Sequence, residues 1–391
     1  MPVGNTASSA TCRPSAEAAT FTAMSSGTHP RIFGLDLVRA LAAVIVVYSH
    51  ADDLLDAHWP RNPGASAMDG VDLFFVLSGF LIGNILIRMS HATEVPWWRR
   101  LLDFWQRRWL RTLPNYYLFL LINIGMVHLG WSMGLLNVNT LAYFVFLQNF
   151  IIPLDLFFWE SWSLAVEEWF YLLFPLLLVV LAWRRSPKWG FLVCTGIMIM
   201  VPILLRYPAM DGVGTPFMLD LLVRKIVVLR FDTIGYGVLV AWLVFHVPKI
   251  FSTRRVELFV LGALLLAIAI LLRGENNLLY MGTLFLVLSG SGMALMLPFM
   301  AGWHKVGRWG TFITFLSRIS YALYLVHMPV RSLYLELMPG RSLAVSLILY
   351  AGYWIISIAL AAVVYRYWER PFMALRDGLS ERILEPVSRA S

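Results

Sequence analysis

Residues 34–50 read GLDLVRALAAVIVVYSH and residues 70–83 read GVDLFFVLSGFLIG. Neither alternates polar with apolar as a half-buried strand would, and each lies within a longer apolar run, 32–51 and 70–88. A helix needs roughly 20 apolar residues to cross a hydrocarbon core. Eight further runs meet that requirement, at about 111–131, 161–183, 189–206, 230–247, 256–273, 279–300, 311–333 and 342–365. Backbone polar groups must be satisfied internally in lipid, and strand patterns are absent, so the runs predict helices and not a barrel. An eleventh run, 140–152, is too short to cross and predicts a re-entrant or interfacial piece. The composition agrees: 59% hydrophobic and 14% charged, where soluble domains run near 45–50% and about 25%. The chain is predicted to be an all-α polytopic membrane protein of about ten transmembrane helices.

Three segments are expected: an Ala/Ser/Thr-rich tail over 1–30, a transmembrane domain over 31–372 and a polar C-terminal tail over 373–391. The first lacks the short apolar core of a signal peptide. The net charge of +8 comes with 16 Trp and 25 Phe, which points to lipid and away from nucleic acid. Cys12 and Cys194 are the only cysteines, too few for a disulfide scaffold or a cysteine metal cluster. Gly-rich phosphate loops, His-Glu-x-x-His and Gly-x-Ser-x-Gly are absent. HADDLLDAH (50–58) resembles a ligand set, but in an acidic outer loop such residues are simply solvated, and no metal is expected. With the N-terminus inside, cytoplasmic segments hold 21 Lys and Arg against 8 on the other side, which predicts both termini in the cytoplasm. Arg224, Lys225 and Arg230 run against that bias.

Charges inside transmembrane helices are costly, so each one marks a candidate site. In the first run Asp36 precedes Arg39 by three residues and is placed to pair with it. Arg39 and His50 are eleven residues apart, three turns plus ~20°, so they share a face ~16 Å long. The plainer reading is an interfacial anchor with His50 capping the outer end. Glu167 and Glu168 open the fourth run, and His327 closes the ninth. His50, Glu167 and His327 come out at matched depth, which suits a base with an orienting carboxylate. Arg107, Arg108 and Arg111 fall on one helical flank; forked guanidinium groups there suit a polyanion, while topology and anionic lipid supply the blander explanation.

Taken in order, these pieces resemble acyltransferase family 3. The likeness runs from 34 to 371: Arg39, ten residues, then His50; GVDLFFVLSGFLIG at 70–83; RRWLRTLPNYY at 107–117; WSLAVEEWFYLLFP at 162–175; RFDTIGYGVLVA at 230–241; SRISYALYLVH at 317–327; and ERPF at 369–372. The resemblance implies transfer of an acyl group, acetyl by default, from cytosolic acyl-coenzyme A to a hydroxyl of an extracytoplasmic or lipid-linked carbohydrate, in the bacterial inner membrane. Some members carry an SGNH-type domain that completes the transfer; none is expected here. His50 would be the general base and Glu167 its orienting partner. Arg39, Arg107, Arg108 and Arg111 would hold the donor's phosphates. His327, Tyr324, Tyr321, Arg230 and Asp232 would serve the acceptor. Whether the acyl group rests first on His50 stays open. A transporter or flippase of a sugar-lipid or solute is the competing class on composition, though no internal repeat relates the two halves. A sensor or scaffold for polysaccharide assembly is the third, and needs no buried His–Glu pair. The oligomeric state is not fixed by the sequence, although the glycine-rich stretch 282–292 suits close helix packing.

Overall fold

The computed structural model describes residues 31–51, 54, 69–91, 95–182, 187–273, 277–335 and 342–384. The tail over 1–30 and all of HADDLLDAH except His50, Ala51 and Leu54 lie outside the described residues, as does the end of the C-terminal tail.

Eleven longer helices follow one another: α1 (Phe33–Ala51), α2 (Gly70–His91), α3 (Trp97–His128), α4 (Ser161–Ala182), α5 (Pro187–Ala209), α6 (Phe231–His246), α7 (Arg255–Leu271), α8 (Leu284–Ala301), α9 (Gly310–Leu335), α10 (Leu343–Val364) and α11 (Arg370–Leu384). No strand occurs among the described residues. Each of the ten apolar runs carries one of α1 to α10. Among the described residues six helices are long and apolar enough to cross a membrane: Phe33–Ala51, Gly70–His91, Ser161–Leu181, Lys188–Ala209, Leu284–Ala301 and Leu343–Ser380. The shortfall from ten has local causes. α6 and α7 have only 16 and 17 residues, α3 opens on an arginine-rich stretch, and α9 carries Arg318, His327 and Arg331 along its length.

The 140–152 run does not form a crossing helix. It contains the end of a 3₁₀ turn (Val138–Val145) capped by Asn137, followed by irregular chain up to α4. Its polar backbone is satisfied by neighbours: Tyr116 Oη donates to Tyr143 O at 2.7 Å and Trp169 Nε1 donates to Phe146 O at 2.8 Å. Asn149 Nδ2 donates to Lys225 O at 2.6 Å, so this stretch also holds the segment before α6.

The closest helix contact joins α2 to α6. A Cβ at Gly79 would stand 1.9 Å from Ile234 O, and one at Gly237 would stand 2.1 Å from Val76 O. The backbones therefore touch, as small residues permit between membrane helices. A buried ion pair between Arg230 and Asp72 locks the same two helices. α9 packs against α1, α1 against α2, and α11 against α3, so α1, α2, α3 and α9 surround one internal space.

Candidate active site

That space is a cavity of about 1270 Å³. Nine arginines line it: Arg31, Arg39, Arg88, Arg100, Arg107, Arg108, Arg111, Arg255 and Arg376. Only Asp103, Glu167 and Asp377 supply carboxylates to the wall, which leaves it strongly positive. A side chamber of about 270 Å³ shares Arg31, Arg39 and Arg111 with it and adds Asp36, Arg318 and Glu369.

The three arginines of the 107–111 stretch have different surroundings. Arg107 Nε donates to Ser380 Oγ at 2.9 Å and to Asp103 at 3.2 Å, so α11 and the preceding turn of α3 both hold it. The Arg108 guanidinium lies 5.3 Å from the Tyr171 ring centroid and 6.0 Å from that of Phe104. Among the described residues no carboxylate comes within ion-pair distance of Arg108 or Arg111. Asp36 does reach Arg39, at 3.5 Å. Its closer partner is Arg31, which donates to both carboxylate oxygens at 2.9 and 2.8 Å, while Ser317 Oγ donates at 2.8 Å. Arg39 is thereby left turned toward both chambers.

Successive residues of a helix point about 100° apart, and the two glutamates of α4 diverge accordingly. Glu167 faces the cavity and accepts from Ser78 Oγ at 2.9 Å; Glu168 is buried away from it and accepts from Thr112 Oγ1 at 2.6 Å. Ser163 and Tyr324 also line the cavity; their hydroxyl oxygens are 2.6 Å apart, and Tyr324 Oη also donates to Glu160 O at 2.9 Å. Tyr321 lines the wall nearby and donates to Thr112 O at 2.8 Å.

Behind Tyr324, at 5.8 Å between ring centroids, sits His327, fully buried. Its Nε2 is 3.3 Å from Nδ1 of His50. His50 Nδ1 is also 2.9 Å from Val46 O, and Arg331 Nε donates to His50 O at 2.7 Å. The ring partner of His50 is thus a histidine. Glu167, expected beside His50 from its depth, bonds instead to α2 at the cavity wall. Glu167 and His50 therefore have different partners, Ser78 on α2 for the one and His327 on α9 for the other.

Among the described residues, charged groups that bear on His50 include Lys225, Arg331, Asp69 and Asp220. Lys225 pairs with Asp220 and sits 3.5 Å over the Trp159 ring, and Arg224 pairs with Asp69 and Asp220. Burial pushes the Lys225 ammonium down to about 8, with Asp220 opposing the shift. Burial likewise pushes the Glu160 carboxyl up to about 8, and its Oε1 has no hydrogen-bond partner.

Arg230 and Asp232 are not brought to the cavity. Both are 0% exposed, Arg230 pairing with Asp72 beside the Phe75 and Trp162 rings and Asp232 with Arg206. These pairs tie α6 to α2 and α5; Arg230 Nε and Nη1 and Asp232 Oδ1 have no hydrogen-bond partner, yet all are buried and none lines the cavity. Sequence reasoning missed Arg255, Arg376 and Ser163 as wall residues and Arg331 at His50. The first two come from segments far from the arginine stretch, and no local pattern marks them.

Residues 32–366 match the model of a family described as an acyltransferase domain, Acyl_transf_3. The chain is 26% identical over 374 residues to O-acetyltransferase OatA of Staphylococcus aureus, covering 86% of this chain and 56% of that protein. It is 33% identical over 168 residues to the peptidoglycan O-acetyltransferase OatA of Listeria monocytogenes, covering 39% of this chain and 25% of that protein. The chain spans about half the length of the Staphylococcus relative. No solved structure matches.

Proposed function

From the premise that this chain belongs to acyltransferase family 3, we propose that it is a multi-pass membrane O-acetyltransferase that moves the acyl group of cytosolic acetyl-coenzyme A to a carbohydrate hydroxyl on the far side of the membrane. The names of its relatives make peptidoglycan the first acceptor to test. The observation that carries the reading is a basic cavity whose wall includes Tyr324, one ring away from a histidine pair.

In this reading ten helices cross the bacterial cytoplasmic membrane, both termini are cytoplasmic and the arginine-lined mouth faces the cytosol. The ion pairs of Arg224, Lys225 and Arg230 with aspartates support it, because paired cations weigh less in the positive-inside balance. Coenzyme A phosphates cannot enter hydrocarbon, and forked guanidinium groups match their geometry. Arg108 and Arg111 would make that contact directly, with Arg107 braced behind them and Arg39 deeper. The pantetheine arm then lies along the wall past Glu167 and brings the thioester to Tyr324. His50 removes the proton from the acceptor hydroxyl as its oxygen attacks the thioester carbonyl. The carbon–sulfur bond breaks, and the proton returns from His50 to the departing thiolate. Neither a metal nor a covalent acyl-histidine is needed for that balance.

Detergent-purified protein supplied with acetyl-coenzyme A and soluble glycan fragments tests the proposal, with free thiol and O-acetyl product as readouts. Wild type should turn over, and His50→Ala should lose at least about a hundredfold in kcat while keeping its donor affinity. Near-normal turnover by the variant would remove His50 from the chemistry. No binding of acetyl-coenzyme A by wild type would favour a transporter.

A further inference from the structure

The two histidines are not equivalent, and their hydrogen bonds say which nitrogen of each carries the proton. His50 Nδ1 lies 2.9 Å from the carbonyl oxygen of Val46, which can only accept. A lone pair on Nδ1 would oppose the carbonyl lone pairs, so Nδ1 carries the hydrogen. The same reasoning applies to His327, whose Nδ1 is 3.2 Å from Leu323 O. Its Nε2 is then a lone pair, and that lone pair faces His50 Nδ1–H at 3.3 Å. The His50 hydrogen is shared between two acceptors. The remaining nitrogen of His50, Nε2, has no partner among the described residues and keeps its lone pair.

We infer that His327 is the positioning residue of the proposed transfer: it accepts from Nδ1–H of His50, holds the ring, and makes Nε2 the only basic nitrogen of that side chain. Arg331, one turn further along α9, grips the His50 carbonyl oxygen, so one helix fixes both the ring and the main chain of the residue. When His50 takes up the acceptor's proton, its bond to His327 becomes charge-assisted and strengthens. The pair thus favours the imidazolium without a carboxylate against the ring. Other charges face His50 as well: Asp69 just ahead of α2, Lys225 and Asp220 between α5 and α6, and Arg331 on α9. They remain in place in any variant of His327.

This inference rests on the proposed acetyl transfer for its role, yet the proton assignment is testable without turnover. The comparison is His327→Phe, which fills the space but cannot accept, against His327→Gln, whose amide oxygen can. Diethyl pyrocarbonate modifies a neutral imidazole at a free nitrogen, and labelling of His50 followed by mass spectrometry across a pH series reads its titration. The wild type should label. His327→Phe should shift the titration midpoint to lower pH, because the protonated ring has lost an acceptor, and His327→Gln should restore most of the shift. In the transfer assay, kcat should fall about tenfold in His327→Phe, with its acid limb moved to lower pH and the KM for acetyl-coenzyme A unchanged. His327→Gln should recover both. Should His327→Phe fail to fold, His327→Leu makes the same comparison.

Equal loss in the accepting and non-accepting variants, with an unmoved midpoint, overturns the inference, and so does a wild-type His50 that never labels. If wild-type turnover is absent and the midpoints shift as stated, the positioning contact stands and the proposed transfer falls.

Discussion

Arg107 and Arg108 are neighbours in the chain, but only Arg108 keeps its guanidinium clear of carboxylates and hydroxyls. Arg107 is committed to Asp103 and Ser380, whereas Arg108 lies across aromatic rings at the wall. A charge-assisted contact to a phosphate contributes roughly 1.5–3 kcal/mol. Arg108→Ala should therefore raise the KM for acetyl-coenzyme A by about tenfold or more, and Arg107→Gln should raise it far less. Initial-rate kinetics with the acceptor held saturating decides it, and equal effects would reject the distinction. At this scale the sequence was uninformative about direction. Counting along α1, α4 and α9 gave His50, Glu167 and His327 the same level. Which of them meet depends on how each helix is rotated, and that is set by residues such as Gly79 and Gly237, whose significance appears only once the partner helix is known.

Helix elements were the most legible part of the chain, because a run of apolar residues specifies its own conformation in lipid. Their contacts were less so. The glycines of α2 and α6 look like ordinary small residues in the sequence, yet they let two backbones meet. Gly237→Ala places a methyl carbon where Val76 O already stands 2.1 Å away, so the helices must part. Overpacking of this kind costs about 1–3 kcal/mol. Gly196→Ala in α5 is the control, since its added carbon meets nothing within 4 Å. Thermal unfolding in detergent followed by size-exclusion chromatography should show a lower midpoint for Gly237→Ala and none of that loss for Gly196→Ala. Equal midpoints would mean that the α2–α6 contact yields at little cost. The same contact holds the Arg230–Asp72 pair. The resemblance assigned Arg230 to the acceptor side, whereas its side chain lies in a buried ion pair that joins two helices.

The whole molecule shows why the cavity wall could not be assembled from the sequence. Arg31, Arg100, Arg255 and Arg376 lie on four separate segments and converge only when α11 returns to α3 and the start of α7 closes the other side. Positive-inside reasoning saw these arginines as topology markers, each on its own loop. Gathered around one opening, they act together on anything that approaches from solution. A cavity lined by nine arginines and three carboxylates draws a multiply charged anion down its own potential gradient, and that gradient is shortened by mobile ions. Raising potassium chloride from about 50 to about 300 mM should increase the donor's KM severalfold and leave kcat within about twofold. A parallel fall in kcat would show that salt acts on the reaction and not on capture. Ionic strength then governs how often a donor arrives at the opening, and has no hold on the imidazole pair behind Tyr324.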